Sequence, residues 1–294
     1  MSRSIPTILL FGSTGQVGSA LLERLQPMAH VVAPRRSEAD FSQPASLERV
    51  IERARPTLVV NASAYTAVDR AETEPELATA VNATAPEHIA RASERVGAAL
   101  VHFSTDYVYD GTKGTPYVET DSPNPLGVYG RSKLAGDQAI AGSNVPYLIF
   151  RTSWVYSLQG RNFLLAIANR ARETGKLRVV DDQHGAPTFA PAIADAVVEI
   201  LRDRLNTPDL SKAIAADAGV YHLTASGATT WYEFARTILE RMRITAEVTP
   251  ITTGEFGAPA PRPRYSVLDN TKLRTSFGVR LRDWREQLGL AVNR

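Results

Sequence analysis

Short apolar runs recur along the first half of the chain, each followed by a stretch whose apolar positions repeat at helical spacing. Residues 7–11 ("TILLF"), 30–33, 57–61, 99–104 and 146–152 are rich in Val, Ile, Leu and Phe, which predicts strands. Between them, 17–26, 44–55, 74–97 and 129–141 read as helices, the third closing on a capping glycine at Gly97. Strands that are apolar throughout, rather than alternating, need cover on both faces. With a helix in each connection, the pattern predicts an α/β fold: a doubly wound, Rossmann-like parallel sheet.

The pattern loosens later in the chain. Residues 176–294 hold shorter elements and several prolines. "TTWYEFARTILERM" (229–242) predicts a helix, with Thr230 and Glu233 spaced for a capping box. "FGAPAPRPRYSV" (256–267) predicts a proline-rich loop. The expected organisation is a dinucleotide-binding domain over 1–154. A smaller mixed substrate lobe over 155–294 would send some segments back to the first domain.

Composition narrows the function classes. The chain has 294 residues, 44% hydrophobic and 22% charged, as in globular proteins. Its 33 basic and 31 acidic side chains are interspersed, which argues against nucleic acid or a membrane surface as partner. Cysteine is absent, excluding disulfides and thiolate metal sites. The "TILLF" run is too short for a signal peptide or a membrane span, so a cytoplasmic protein is expected.

Candidate chemistry begins at "ILLFGSTGQVGSA" (8–20). Gly12, Gly15 and Gly18 stand between a strand and a helix, where backbone N–H groups can approach a pyrophosphate. A plain strand-to-helix turn would use the same glycines. The second strand ends in "PRR" with no acid at once. Arg35 and Arg36 there suit a 2′-phosphate, which favours NADPH with NADH as the alternative; two solvated arginines would look the same.

Two Tyr-x-x-x-Lys pairs occur, Tyr109 with Lys113 and Tyr129 with Lys133. The first contains the turn signal Asp110-Gly111, so its spacing has no helical meaning. The second opens an alanine-rich helix, where a four-residue spacing puts phenol and amine on one face. A nearby ammonium would lower the phenol pKa. "STD" (104–106) follows the fourth strand, and Thr105 could hydrogen-bond a carbonyl oxygen there, or serve only as a turn hydroxyl.

These residues carry a resemblance. The chain resembles the extended short-chain dehydrogenases/reductases, and more closely the dTDP-4-dehydrorhamnose reductase family, over nearly its whole length. The ordered set runs "GSTGQVG" (12–18), "NASAYTAVDRAETEPE" (61–76), "VNAT" (81–84), "FSTDYVYDG" (103–111) and "NPLGVYGRSKLAGD" (124–137). It continues with "FRTSWVY" (150–156), "DDQHGAPT" (181–188), "YHLTASGATTW" (221–231) and "RPRYSVLD" (262–269).

The resemblance implies a catalytic set of Thr105, Tyr129 and Lys133. Tyr129 would protonate the C4 oxygen of a dTDP-4-dehydro-sugar, Thr105 would hydrogen-bond it, and Lys133 would hold the nicotinamide ribose and lower the Tyr129 pKa. Besides the three glycines, Arg35, Arg36, Tyr129 and Lys133, it implies cofactor contacts at Gln16, Val17, Asp40, Phe41, Asn61, Ala62 and Ala64. Implied substrate contacts are Thr105, Asp106, Tyr129, Trp154, Asn162, Phe163 and Arg262, although Trp154 could be ordinary core and Arg262 a surface charge. Asp69 and Glu72 read as a solvated helix face. Some members carry a carboxylate two residues after "GQVG", linked to metal-bridged dimers; Ala20 stands there, so no metal is expected, and the chain would be a monomer or homodimer. Tyr109 replaces a common phenylalanine and should be tolerated. Two alternatives remain, a reductase of a related dTDP-4-keto-hexulose and a non-catalytic NADP-binding regulatory subunit.

Overall fold

The computed structural model describes residues 5–292. Five strands form in the first half: β1 (Thr7–Phe11), β2 (His30–Val32), β3 (Leu58–Asn61), β4 (Ala99–Thr105) and β5 (Tyr147–Thr152). They pair in parallel in the order β2-β1-β3-β4-β5, and the strand Gly219–His222 joins as a sixth beside β5. The doubly wound parallel sheet expected from the apolar runs is therefore present. Its order reverses between β1 and β3, and sheets of this kind bind ligands in the crevice at that reversal, outside the carboxyl ends of the strands.

Both faces are covered, as strands without polar alternation require. Ile8 and Leu10 point to one side, where α1 (Gln16–Leu25) and the helix Ala190–Leu205 bring Leu21, Leu25, Ile193 and Val197. Leu9 and Phe11 point to the other, against Leu47 and Ile51 of α2 (Pro44–Ala54) and Ile89 of the helix Ala85–Val96. Each such buried side chain contributes about 1.5–3 kcal/mol of transfer free energy.

The segment expected as one helix over 74–97 is interrupted. Pro75–Thr79 and Ala85–Val96 are α-helical, but Ala80–Thr84 winds as a π-helix. Pro86 has no N–H to give the Asn82 carbonyl four residues back. That carbonyl lies instead against Gly136, where a Cβ would sit 2.1 Å from it. The wider turn thus brings this helix and Val128–Ala141 into close backbone contact.

The later segments build a second cluster around Phe234 and Trp284. It uses the helices Phe163–Thr174, Trp231–Arg241 and Trp284–Val292, and the parallel pair Lys176–Val180 and Glu247–Ile251. The expected capping box at Thr230 is half made. Thr230 Oγ1 accepts from Glu233 N, but its hydroxyl donates to Asp181 at 2.6 Å and the Glu233 carboxylate turns to Arg236. A full capping box forms instead at Thr252 and Glu255, opening the short helix Thr253–Phe256, so the proline-rich loop begins just after Phe256. Among the described residues, no helix is long and apolar enough to cross a membrane.

Candidate active site

The helix Val128–Ala141 starts at Gly127 after a segment that its prolines keep extended. Gly127 has no side chain to cap the helix. Glu72 does so from outside, its Oε1 accepting from Val128 N at 2.7 Å. A Cβ on Gly127 would collide with that carboxylate at 2.7 Å. The reading of Glu72 as a solvated helix face is therefore corrected: it anchors the turn that carries Tyr129. Asp69 is corrected in the same way, because its carboxylate pairs with Arg262 Nη2 at 2.9 Å and accepts from Ala260 N at 3.2 Å.

Tyr129 lines a cleft of about 1120 Å³ together with Ser104, Thr105, Asp106 and Tyr107 from the end of β4. The Thr105 side chain lies beside the Tyr129 phenol and acts to lower its pKa. Thr105 Oγ1 also accepts from Tyr107 N and donates to Asp106 Oδ1, both at 3.1 Å, so its rotamer is set from two sides. Tyr107 packs edge-on against Tyr129 with ring centres 5.8 Å apart, and its hydroxyl feels the charge of Arg262. Burial pushes Asp106 up to about 7, against hydrogen bonds that pull it back down.

Lys133 behaves differently from the expectation. Its Nζ donates to Phe103 O at 2.6 Å and lies 3.2 Å from His102 Nε2. Burial pushes it down to about 8. The tyrosine is not lowered; burial pushes the phenol up to about 12, opposed by Thr105 and reinforced by Asp106 and Asp137. The amine exerts no opposing pull, because it is turned onto β4.

Beneath this helix, Asp137 accepts from Ser104 Oγ at 2.9 Å and pairs with Arg151 of β5 at 3.2 Å. Arg151 Nη1 donates to the Tyr109 hydroxyl at 2.8 Å, which also meets His222 Nε2 at 2.8 Å. The tyrosine that replaces a common phenylalanine is thus more than tolerated, because its hydroxyl links β5 to the sixth strand.

The glycine loop sits at the sheet's reversal. Gly12 has φ +80°, and a Cβ there would lie 2.7 Å from the Ala62 backbone. A Cβ on Gly18 would fall 2.0 Å from Gly12 O. Gly15 caps α1 and offers no side chain to the first-turn N–H groups, which leaves them for an anion. Asn61 Oδ1 accepts from Ser63 N at 3.1 Å and shapes the small-residue shelf of Ala62 and Ala64 below. These features fit a dinucleotide pyrophosphate. Val17 packs into the core beneath α1. Arg35 and Arg36 are exposed beyond β2, Asp40 holds a turn by accepting from Ser42 N and Oγ, and Phe41 turns its ring onto Phe11 at 5.6 Å.

Across the cleft, Trp154 has φ +46° and stacks on Trp231 with centroids 3.5 Å apart. Gly185 lies against the indole, 2.4 Å from where a Cβ would be, so the ring is held between a backbone and a second indole. Phe163 continues this aromatic wall, 4.5 Å from Trp231. Asn162 departs from the expectation of a substrate contact. Its Oδ1 caps the helix Phe163–Thr174, and its Nδ2 donates to Gln16 Oε1 at 3.0 Å and to Ser157 O at 2.9 Å. Gln16 lines the cleft and thereby ties α1 to the second cluster. Arg161, Arg170, Lys176 and Arg178 add positive charge to the same cleft.

Sequence reasoning missed His102, Asn82, Glu72 and Trp231. Asn82, Glu72 and Trp231 lay inside the quoted motifs and His102 outside them all; the Asn82 amide fixes the backbone of Tyr65, accepting from Tyr65 N at 2.8 Å and donating to Tyr65 O at 3.0 Å.

The site can be set against known proteins. The model of the RmlD substrate binding domain matches residues 6–294. The chain belongs to the RmlD family. A dTDP-4-dehydrorhamnose reductase of Burkholderia thailandensis is 43% identical, with 97% of each chain covered. The Escherichia coli K12 protein of that name is 42% identical over 95% of this chain and 94% of its own. A Bacillus anthracis dTDP-4-dehydrorhamnose reductase, solved in complex with NADP, superposes with a TM-score of 0.90. It is 32% identical and covers 98% of this chain and 99% of its own. In this RmlD-family chain, the glycine loop and the Tyr129 helix face one crevice from opposite sides of the sheet reversal.

Proposed function

We propose that this protein reduces the C4 ketone of dTDP-4-dehydro-β-L-rhamnose to dTDP-L-rhamnose with NADPH. The observation that carries the reading is the placing of Thr105 and Tyr129 together in one cleft, beside a loop fitted to a dinucleotide. The relatives named dTDP-4-dehydrorhamnose reductase support the substrate, and the NADP complex of the Bacillus anthracis protein supports the cofactor.

Bound in the glycine loop, NADPH supplies the hydride. The chain supplies the rest. Tyr129, kept protonated by its surroundings, gives its proton to the C4 oxygen as negative charge develops there. Thr105 Oγ1 holds the same oxygen and fixes its distance from the phenol. Lys133 would leave Phe103 O for the ribose hydroxyls. Trp154 and Phe163 would flank the sugar, and Arg161, Arg170 and Arg178 would meet the diphosphate. Asp69 holds Arg262 against Tyr107, so Arg262 shapes this wall. Arg35 and Arg36 would meet the 2′-phosphate, favouring NADPH over NADH. We place the enzyme in the cytoplasm as a monomer or homodimer.

The test is loss of dihydronicotinamide absorbance with enzymatically prepared dTDP-4-dehydro-L-rhamnose. Tyr129→Phe should keep NADPH affinity and lose roughly 10²–10⁴-fold in kcat. Near-normal turnover in that variant would overturn the assignment of the acid. NADPH binding without oxidation would point to a different ketosugar or a regulatory role.

A further inference from the structure

Between β3, β4 and the helix Val128–Ala141 lie three side chains shut off from solvent: Asn61, His102 and Lys133. Their hydrogen bonds can be followed in one direction. Ser63 N donates to Asn61 Oδ1, which fixes the amide and turns its Nδ2 toward His102 Nδ1, 3.1 Å away. An amide nitrogen only donates, so His102 Nδ1 must accept. The single hydrogen of the neutral ring is then on Nε2, aimed at Lys133 Nζ 3.2 Å away. An ammonium has three donors and no lone pair, so two donors would face each other in a dry site. A doubly protonated ring would clash with both neighbours. The set closes only with an amine that accepts from His102 Nε2–H and donates to Phe103 O.

We propose that His102 is a positioning residue that holds Lys133 as a neutral amine in the cofactor-free protein. The other groups facing Lys133 leave room for this. Asp137, one turn along the same helix, favours the ammonium by its charge, but it makes no hydrogen bond to Nζ and its Oδ2 is taken by Arg151 and Ser104. From β4 only the Phe103 carbonyl and the His102 ring reach Nζ, and Tyr129 and Asp106 make no hydrogen bond to it. Burial acts in the same direction, bringing the amine to about 8 and the imidazole well below its usual range. The aimed Nε2–H acts in the same direction. In the cofactor-free protein a neutral lysine places no positive charge beside Tyr129, so the phenol keeps its proton until the cofactor binds and draws Lys133 to the ribose. That consequence rests on the reading of the active site; the charge state does not.

The experiment uses the cofactor-free chain with no sugar, so it is decided independently of the substrate. The sequence has five lysines, and only Lys133 is buried. In protein labelled with ¹⁵N at lysine Nζ and in histidine rings, one lysine should show an amine shift at neutral pH while four show ammonium shifts. The His102 ring should show the Nε2–H tautomer. Five ammonium signals, or an Nδ1–H tautomer for His102, would overturn the proposal. His102→Leu should raise the pH at which the Lys133 signal titrates, and His102→Gln, which restores a donor, should bring it back. An unchanged titration in His102→Leu would also overturn it. The wild-type spectrum decides the matter even if neither variant folds.

Discussion

Asp106 shows how one residue can tie the site to stability. Its carboxyl is 2% exposed, and burial raises its pKa from 3.8 to about 7. The folded state therefore holds a proton that the unfolded state releases. The stabilisation is complete below about pH 4 and is lost as pH rises to about 7. A change of that size corresponds to roughly 4 kcal/mol. Asp106→Asn cannot titrate, so its stability relative to wild type should improve steadily across that interval. Urea midpoints of both proteins measured at acid and neutral pH check this; parallel pH dependences would refute the role of burial. At the same scale, Trp154 shows what a motif cannot convey. "RTSWVY" points to an aromatic, but its left-handed backbone and its stack on Trp231 depend on partners far along the chain.

Among the elements, the glycine loop and the Tyr129 helix carry the site, and each depends on a close approach. Gly18→Ala would drive a methyl into Gly12 O, so α1 must shift away from the loop. NADPH affinity, measured by fluorescence, should fall by at least tenfold while far-UV circular dichroism stays near wild type. The start of the Tyr129 helix depends on Glu72. Glu72→Ala removes a charge-assisted bond to Val128 N and should cost about 1.5–3 kcal/mol. Because Tyr129 lies next along the helix, kcat should fall as well, and Glu72→Gln should restore part of both losses. Equal urea midpoints for Glu72→Ala and wild type would show that the anchor carries no weight. The boundaries of the helices Gln16–Leu25, Pro44–Ala54 and Val128–Ala141 were legible from apolar spacing within a residue or so. Phe163–Thr174, Ala190–Leu205 and Trp284–Val292 went unread, the last two in the stretch expected to hold shorter elements. The π-turn at Ala80–Thr84 was not legible, because it reflects both Pro86 and the backbone of another helix.

For the whole molecule, the two halves of the chain share structure. Gly219–His222 completes the parallel sheet beside β5, and Ala190–Leu205 covers the sheet face that α1 begins to cover. A chain ended at residue 154 would expose the β5 edge and the apolar side chains that Ile193, Val197 and Leu201 now meet. It should lose near-UV circular dichroism and bind a hydrophobic dye, and cooperative unfolding of that fragment would contradict this dependence. The cleft has the same origin. Thr105 and Tyr129 come from the first half, whereas Trp231, Arg170 and Arg178 come from the second.

The sequence by itself determined the parallel sheet, the helices that connect its first five strands, the glycine loop and the placing of Tyr129 and Lys133 on one helix. Those depend on period, on glycine's missing side chain and on spacing within one helix, all of which are local. The tertiary structure alone decided the sixth strand, the Glu72 anchor, the Asp69–Arg262 pair and the turning of Lys133 onto His102. Each of these is a contact between residues distant in sequence, and nothing in a local pattern records which polar group will be buried against which.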